Sequence, residues 1–195
     1  MPALDNLAKI PRRAMARAIN KTLSHARTQS IKDIRGKYTI SAGDLRPRIT
    51  IGRANATTLS GYIEVKTEKT RLGYFSPSSR IVQSRRGKRV GVSVKVKRDG
   101  PRKVVRIGFQ PLRDIGTSPR QKRLIFKNTG KKKISYRGKR KGKKIDEIVP
   151  MASISYAAAF KVAAEEKLHQ ILDQDLYEKF NVELENYLRY ERSKR

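Results

Sequence analysis

The chain has 195 residues, with 47 Lys and Arg against 17 Asp and Glu and a formal net charge of +30. It contains no cysteine, which excludes disulfides, thiolate metal sites and a cysteine nucleophile. An apolar fraction of 37% supports only a thin core, and charge of this size opposes compaction, so neutralisation by a polyanion, an acidic protein surface or both is expected.

The opening residues Met1 to Asp5 lack the basic-then-apolar pattern of a secretory leader. No apolar run approaches the roughly 18 residues of a membrane span, so a membrane-embedded state is not expected. The first periodic segment covers about 11–35. Met15, Ile19, Leu23, Ala26 and Ile34, with Ala18 beside them, recur at helical spacing, and the other faces are basic or polar. Pro11 suits the first helical position and Gly36 a C-terminal cap. Ser41 to Asp44 opens a short helical turn that Pro47 stops.

From Arg48 the period becomes two. Ile49 with Ile51, and Ile63 with Val65, alternate with polar residues as half-buried strands do. Gly73 to Gly91, with Pro77 and the run Arg85-Arg86-Gly87-Lys88-Arg89, reads as a mobile basic loop. A hairpin follows. Val92, Val94 and Val96 share one face, opposite Ser93, Lys95 and Lys97, and the return strand carries Val105, Ile107 and Phe109. Asp99-Gly100 marks its turn, and Pro101 favours a connection longer than two residues.

Two weaker strands, Leu124 to Phe126 and Ile134 to Tyr136, flank Asn128 to Lys133. The stretch Arg137 to Lys144 is too charged and glycine-rich to pack. After Pro150 a long helical pattern begins. Phe160, Ala164, Leu168, Leu172, Leu176, Phe180, Leu184 and Leu188 fall at four-residue steps, widened by Ile171 and Tyr187. A four-residue step drifts about 40° per turn, so the helix either bends near Asp173-Gln174-Asp175 or wraps along a neighbour.

These elements predict an α+β fold: an N-terminal amphipathic helix, a small, mainly antiparallel sheet with long basic loops, and a long C-terminal amphipathic helix. Residues 1–150 form a basic body, with strands at about 48–137, and residues 151–195 a helical segment. The charge follows that division. From Pro150 to the end there are seven basic and eight acidic residues, whereas Arg85 to Lys144 holds 24 basic residues against Asp99 and Asp114.

Two basic loops are therefore the candidates for facing DNA or an acidic partner. The first holds Arg85, Arg86, Lys88 and Arg89. The second holds Lys131, Lys132, Lys133, Arg137, Lys139, Arg140, Lys141, Lys143 and Lys144. Leu168, Leu172, Leu176, Phe180, Leu184 and Leu188 are the candidates for subunit packing. Zinc-finger spacing, a basic zipper and an aromatic strand motif are absent, so any nucleic-acid contact is expected to be electrostatic and independent of sequence. No metal-ligand spacing, phosphate-binding glycine loop or catalytic constellation stands out, so no metal, cofactor or enzymatic role is expected. His25 and His169 sit in helical segments and read as surface or packed residues. A nuclease using carboxylates such as Asp44, Glu64 or Asp114 ranks far last.

The order of parts resembles the prophage minor tail protein Z family, the lambda-type tail-completion or neck proteins. The resemblance rests on Ala18-Ile19-Asn20-Lys21-Thr22, Tyr38-Thr39-Ile40-Ser41 with Asp44-Leu45, and Leu59-Ser60-Gly61. It continues through the Val92–Lys97 and Val104–Phe109 hairpin and the final helix with Phe180, Leu184, Glu185, Tyr187 and Leu188. It implies a structural virion protein at the head-proximal end of a long tail, assembled in the host cytoplasm. There a homo-oligomeric ring would join other tail or head-tail connector proteins around the DNA. The alternative from charge alone is a sequence-independent nucleic-acid-binding protein, ribosome-associated or chromatin-like.

Overall fold

A computed structural model of the chain describes residues 2–75, 80–83, 89–106, 108, 124–136 and 141–193. The α+β class is as expected: an N-terminal helix, small antiparallel sheets and a long C-terminal helix. The described chain divides into two compact units. One comprises Met1–Arg35, Ala42–Glu68 and Tyr156–Arg195, and the other Gly36–Ser41 and Lys69–Ser155.

In the first unit, helix α1 spans Pro2–Lys37. It begins nine residues before Pro11, which lies inside the helix instead of at its start. Gly36 likewise falls within the last turn and is not among the glycines with positive φ, so it is not a left-handed cap. Ala14, Ala18, Thr22, Ala26, Ser30 and Ile34 recur every fourth residue and are all buried. Leu23 is buried as well, while Met15 and Ile19 are half-buried. Ser30 is accommodated by donating to the Ala26 carbonyl at 2.8 Å, one turn back.

A short helix, α2 (Ala42–Leu45), and a 3₁₀ turn at Arg46–Arg48 lead into strand β1 (Ile49–Gly52). Strand β1 pairs antiparallel with β2 (Tyr62–Val65), Ile49 opposite Val65 and Ile51 opposite Ile63, as the alternation predicts. Asn20 of α1 holds the connection between the strands. Its Nδ2 donates to the Ala54 carbonyl at 2.8 Å, and its Oδ1 accepts from the Ala54 amide at 2.9 Å. Gly61 lies so close that a Cβ there would stand 2.5 Å from Leu23 Cδ1.

Helices α3 (Tyr156–Ala163) and α4 (Glu165–Arg192) complete this unit. The break between them is at Ala164, whose φ of −130° leaves the helical range, and α4 runs unbroken through Asp173–Asp175. The bend at Asp173–Asp175, one of the two expected alternatives, therefore does not occur, and the break falls nine residues before Asp173. Hydrogen bonding continues across it, from Ala164 N to Phe160 O at 2.8 Å and from Leu168 N to Ala164 O at 2.9 Å. At 1.5 Å per residue α4 is about 42 Å long.

The second unit carries the remaining strands. β3 (Lys69–Arg71) pairs with β9 (Ala152–Ser155), and β4 (Arg80–Gln83), β5 (Arg89–Val94) and β6 (Lys103–Val105) form a three-stranded sheet. β5 and β6 are the expected hairpin, with Val92 opposite Val105, and residues 95–102 make the longer connection that Pro101 favours. β4 lies in the stretch read as a loop. Its β-branched pair Ile81-Val82 aligns with Val92 and Gly91. Ile107, Phe109 and Asp114 lie outside the described residues.

Tyr38 and Ile40 are buried here with Phe75, whose ring meets that of Tyr38 edge-on at 6.5 Å. Thr39 donates its amide to Val96 O at 3.0 Å, and its hydroxyl bonds the Phe75 and Lys95 carbonyls. The last pair, β7 (Phe126–Ile134) with β8 (Lys144–Pro150), forms an arm. β7 passes through Asn128–Lys133, where a connecting segment is expected. It accommodates them with a bulge at Gly130, whose φ of +78° suits glycine, and with the Gly130 amide donating to Asn128 Oδ1 at 2.8 Å.

Candidate functional surfaces

The basic candidates do not all sit on loops. Lys131, Lys132 and Lys133 are strand residues of β7, and Lys144 opens β8, while Lys141 and Lys143 lie at the tip of the arm. The register sets Lys132 opposite Asp146, Lys133 opposite Ile145, and Ile134 opposite Lys144. The tip closes where Ser135 N donates to Lys143 O at 3.0 Å and Gly142 N to Ser135 O at 2.7 Å, with Gly142 at φ +78°. Thr129 ties the strands by donating to Glu147 Oε2 at 2.8 Å.

Lys132, Lys133, Lys143 and Lys144 border a concave surface of about 730 Å³ with Ile145, Asp146 and Ile148. All six described candidate lysines are exposed, and among the described residues none pairs with a carboxylate within 4.0 Å. Like charges held this close repel, so an arriving anion is favoured by both attraction and relief of that repulsion. Exposed Ile134, Tyr136 and Ile148 lie among them, and Tyr136 is 81% exposed. Arg89 opens β5 opposite Gln83. Arg85, Arg86, Lys88, Arg137, Lys139 and Arg140 lie outside the described residues.

The C-terminal candidates separate into two groups. Helix α4 is joined to α1 through charged side chains. Lys21 meets the buried Glu183, with Arg17 at 4.0 Å from the same carboxylate and over the Tyr187 ring at 4.8 Å. His25 Nδ1 meets Asp175 Oδ2, and Lys167 reaches Asp33 at 3.5 Å. Burial works against the Asp175 carboxylate. Hydrogen bonds from Lys179 (2.5 Å) and His25, together with their charges, outweigh it and hold the group below its ordinary value of 3.8.

Leu168, Leu172 and Leu176 lie on the side of these contacts and are half-buried. At about 100° per residue the stripe then winds away. Phe180 and Leu184 are half-buried as well, and Leu188, 43% exposed, comes round towards Tyr177, 71% exposed.

The acidic partners Glu183 and Asp175 belong to no sequence motif. Their signal is their spacing, eight residues apart on one face of a helix that balances the basic face of α1. A second missed feature is a pocket of about 390 Å³ in the first unit, lined by Arg27, Arg46 and Arg53.

Among the described residues no group of His, Asp or Glu is placed to hold a metal ion, and no helix is long and apolar enough to cross a membrane. No curated protein and no solved structure matches the chain significantly. A protein-family model does match it, over residues 2–194, and by that match the chain belongs to the prophage minor tail protein Z (GPZ) family of phage tail proteins.

Proposed function

We propose that this tail protein sits at the head-proximal end of the tail, where a homo-oligomeric ring of it completes the tail and joins it to the head around the DNA. The observation that carries the reading is the division of surfaces. The β7–β8 arm offers unpaired lysines beside exposed Ile134, Tyr136 and Ile148, a mixture that suits an acidic protein surface with apolar patches. Helix α4 carries four basic and eight acidic residues and leaves Tyr177 and Leu188 exposed beside half-buried Phe180 and Leu184, which suits a second copy of this basic chain. The role is structural, and the family membership supports that reading. It gives no support to a ribosome-associated or chromatin-like alternative.

The test is a joining assay. Tails assembled without this chain are mixed with filled heads, with and without the purified protein, and joined particles are counted by electron microscopy. Joining that depends on the added protein is expected. Equal joining in its absence contradicts the proposal.

A further inference from the structure

We infer that the pocket in the first unit holds phosphate groups of a nucleic-acid backbone. It is lined by Arg27, Arg46 and Arg53 together with Ser24, Thr28 and Thr50. Three elements bring them together: α1, the 3₁₀ turn after α2, and β1 with the residue that follows it. The volume of about 390 Å³ falls within the range of about 300–1,000 Å³ typical of small-ligand sites.

The chemistry of the lining selects an oxyanion. No acidic residue lines the pocket, and the carboxylate that touches its edge, Glu64, lies 3.5 Å from Thr50 Oγ1. Among the described residues Arg27, Arg46 and Arg53 form no ion pair. Arg27 is anchored by one edge, its Nη2 donating to the Arg46 carbonyl at 2.7 Å, while its Nε is buried without an acceptor. A buried donor left unpaired is uncommon and costly, and an arriving oxygen relieves it. Buried Ile31 and half-buried Ile51 complete the lining.

Donor count favours phosphate over a partner's carboxylate. Each guanidinium presents five N–H groups, of which a two-oxygen carboxylate engages two in a bidentate pair, so one carboxylate leaves most donors of three guanidiniums unmet. The hydroxyls of Ser24, Thr28 and Thr50 donate within the chain, to the Asn20 and Ser24 carbonyls and to Glu64, so the guanidiniums are the groups that match the successive phosphates of a strand. No aromatic residue lines the pocket, so bases find no stacking surface, and the contact is independent of sequence. These residues are distinct from the arm and from α4, and binding is read on the purified chain, so the inference stands apart from the position in the tail.

The test uses the full-length protein and fluorescence anisotropy with a short duplex of arbitrary sequence over a salt series. Arg46→Gln with Arg53→Gln removes two charges while leaving the Arg46 carbonyl that Arg27 holds. The slope of log K against log salt is expected to become shallower by about 1.8, at about 0.9 per phosphate contact. Arg46→Lys with Arg53→Lys keeps the charge but loses the two-pronged geometry. It is expected to keep the slope and bind about tenfold more weakly, the equivalent of one charge-assisted hydrogen bond. Should the Gln pair fail to fold, Arg53→Gln alone, in the β1–β2 connection, carries half the slope change. An unchanged slope in the Gln variants overturns the inference. So does undiminished affinity in the Lys pair, which indicates diffuse charge without a built site. Loss of poly-glutamate binding with duplex binding intact also overturns it and assigns the pocket to an acidic protein.

Discussion

Replacing Asn20 by Ala removes a side chain that acts as a piece of backbone. Its amide satisfies both the carbonyl and the N–H of Ala54, at 2.8 and 2.9 Å, and Ala54 is only 6% exposed. Alanine leaves both groups unpaired where water has little access. Each such group costs about 1–3 kcal/mol, and some hydration at the rim lowers the sum, so a loss of about 2–4 kcal/mol is expected. That corresponds to about 30- to 1,000-fold in the unfolding equilibrium of this unit. Urea titration reads it as a lower midpoint with an unchanged slope. Hydrogen exchange gives a local readout, because the Ala54 amide loses its acceptor and its protection. Asn20→Asp keeps the acceptor for the amide but sets an oxygen against the Ala54 carbonyl, so it is not expected to rescue stability. A loss below about 0.5 kcal/mol in Asn20→Ala, with Ala54 still protected, would refute the reasoning.

Further expectations concern other contacts. The Asp175 carboxyl is held below its ordinary value, so the folded state binds this proton less readily than the unfolded chain. Its contribution is therefore full above about pH 4 and fades as pH falls through the folded value. Asp175→Asn should flatten the acid limb of a stability–pH profile, and an unchanged limb counts against the His25–Asp175–Lys179 cluster. Gly61→Ala places a Cβ 2.5 Å from Leu23 Cδ1 and 3.0 Å from the Gly52 carbonyl, so overpacking of about 1–3 kcal/mol is expected in thermal or urea melts. Tyr177→Glu with Leu188→Glu alters exposed positions of α4. Sedimentation should show smaller assemblies while the melting temperature of the unit stays unchanged, and intact assemblies would show that this face does not join copies.

The elements that carry a clean period were legible in the sequence. Met15 to Ile34 marks α1, Val92 with Val105 the β5–β6 hairpin, and Leu168 to Leu188 the C-terminal helix. The illegible parts share a physical cause, which is that tertiary pairing overrides local composition. β7 continues through Lys131–Lys133 because β8 supplies a hydrogen-bonding partner and the bulge around Gly130 absorbs two extra residues, which composition alone does not reveal. The break at Ala164 falls on the best helix former. The helix also starts before Pro11, since a proline at a first turn and one inside a helix look the same in a single sequence.

The surfaces follow the same division. The lysines of the arm are contiguous in sequence and stood out as a charge cluster. Arg27, Arg46 and Arg53 are scattered among a great many basic residues, and only the fold brings them to one pocket. The Ala18–Thr22 segment that carries part of the family resemblance acquires a structural meaning. Ala18 and Thr22 pack, Asn20 clamps Ala54, and Lys21 reaches Glu183.

The position in the particle is tested most directly by cryo-electron microscopy of intact virions with this chain located by a specific antibody fragment or by its density. A closed ring at the junction of head and tail, surrounding the DNA, is the predicted result. Density at the distal tip, or repeated along the tube wall, would contradict it.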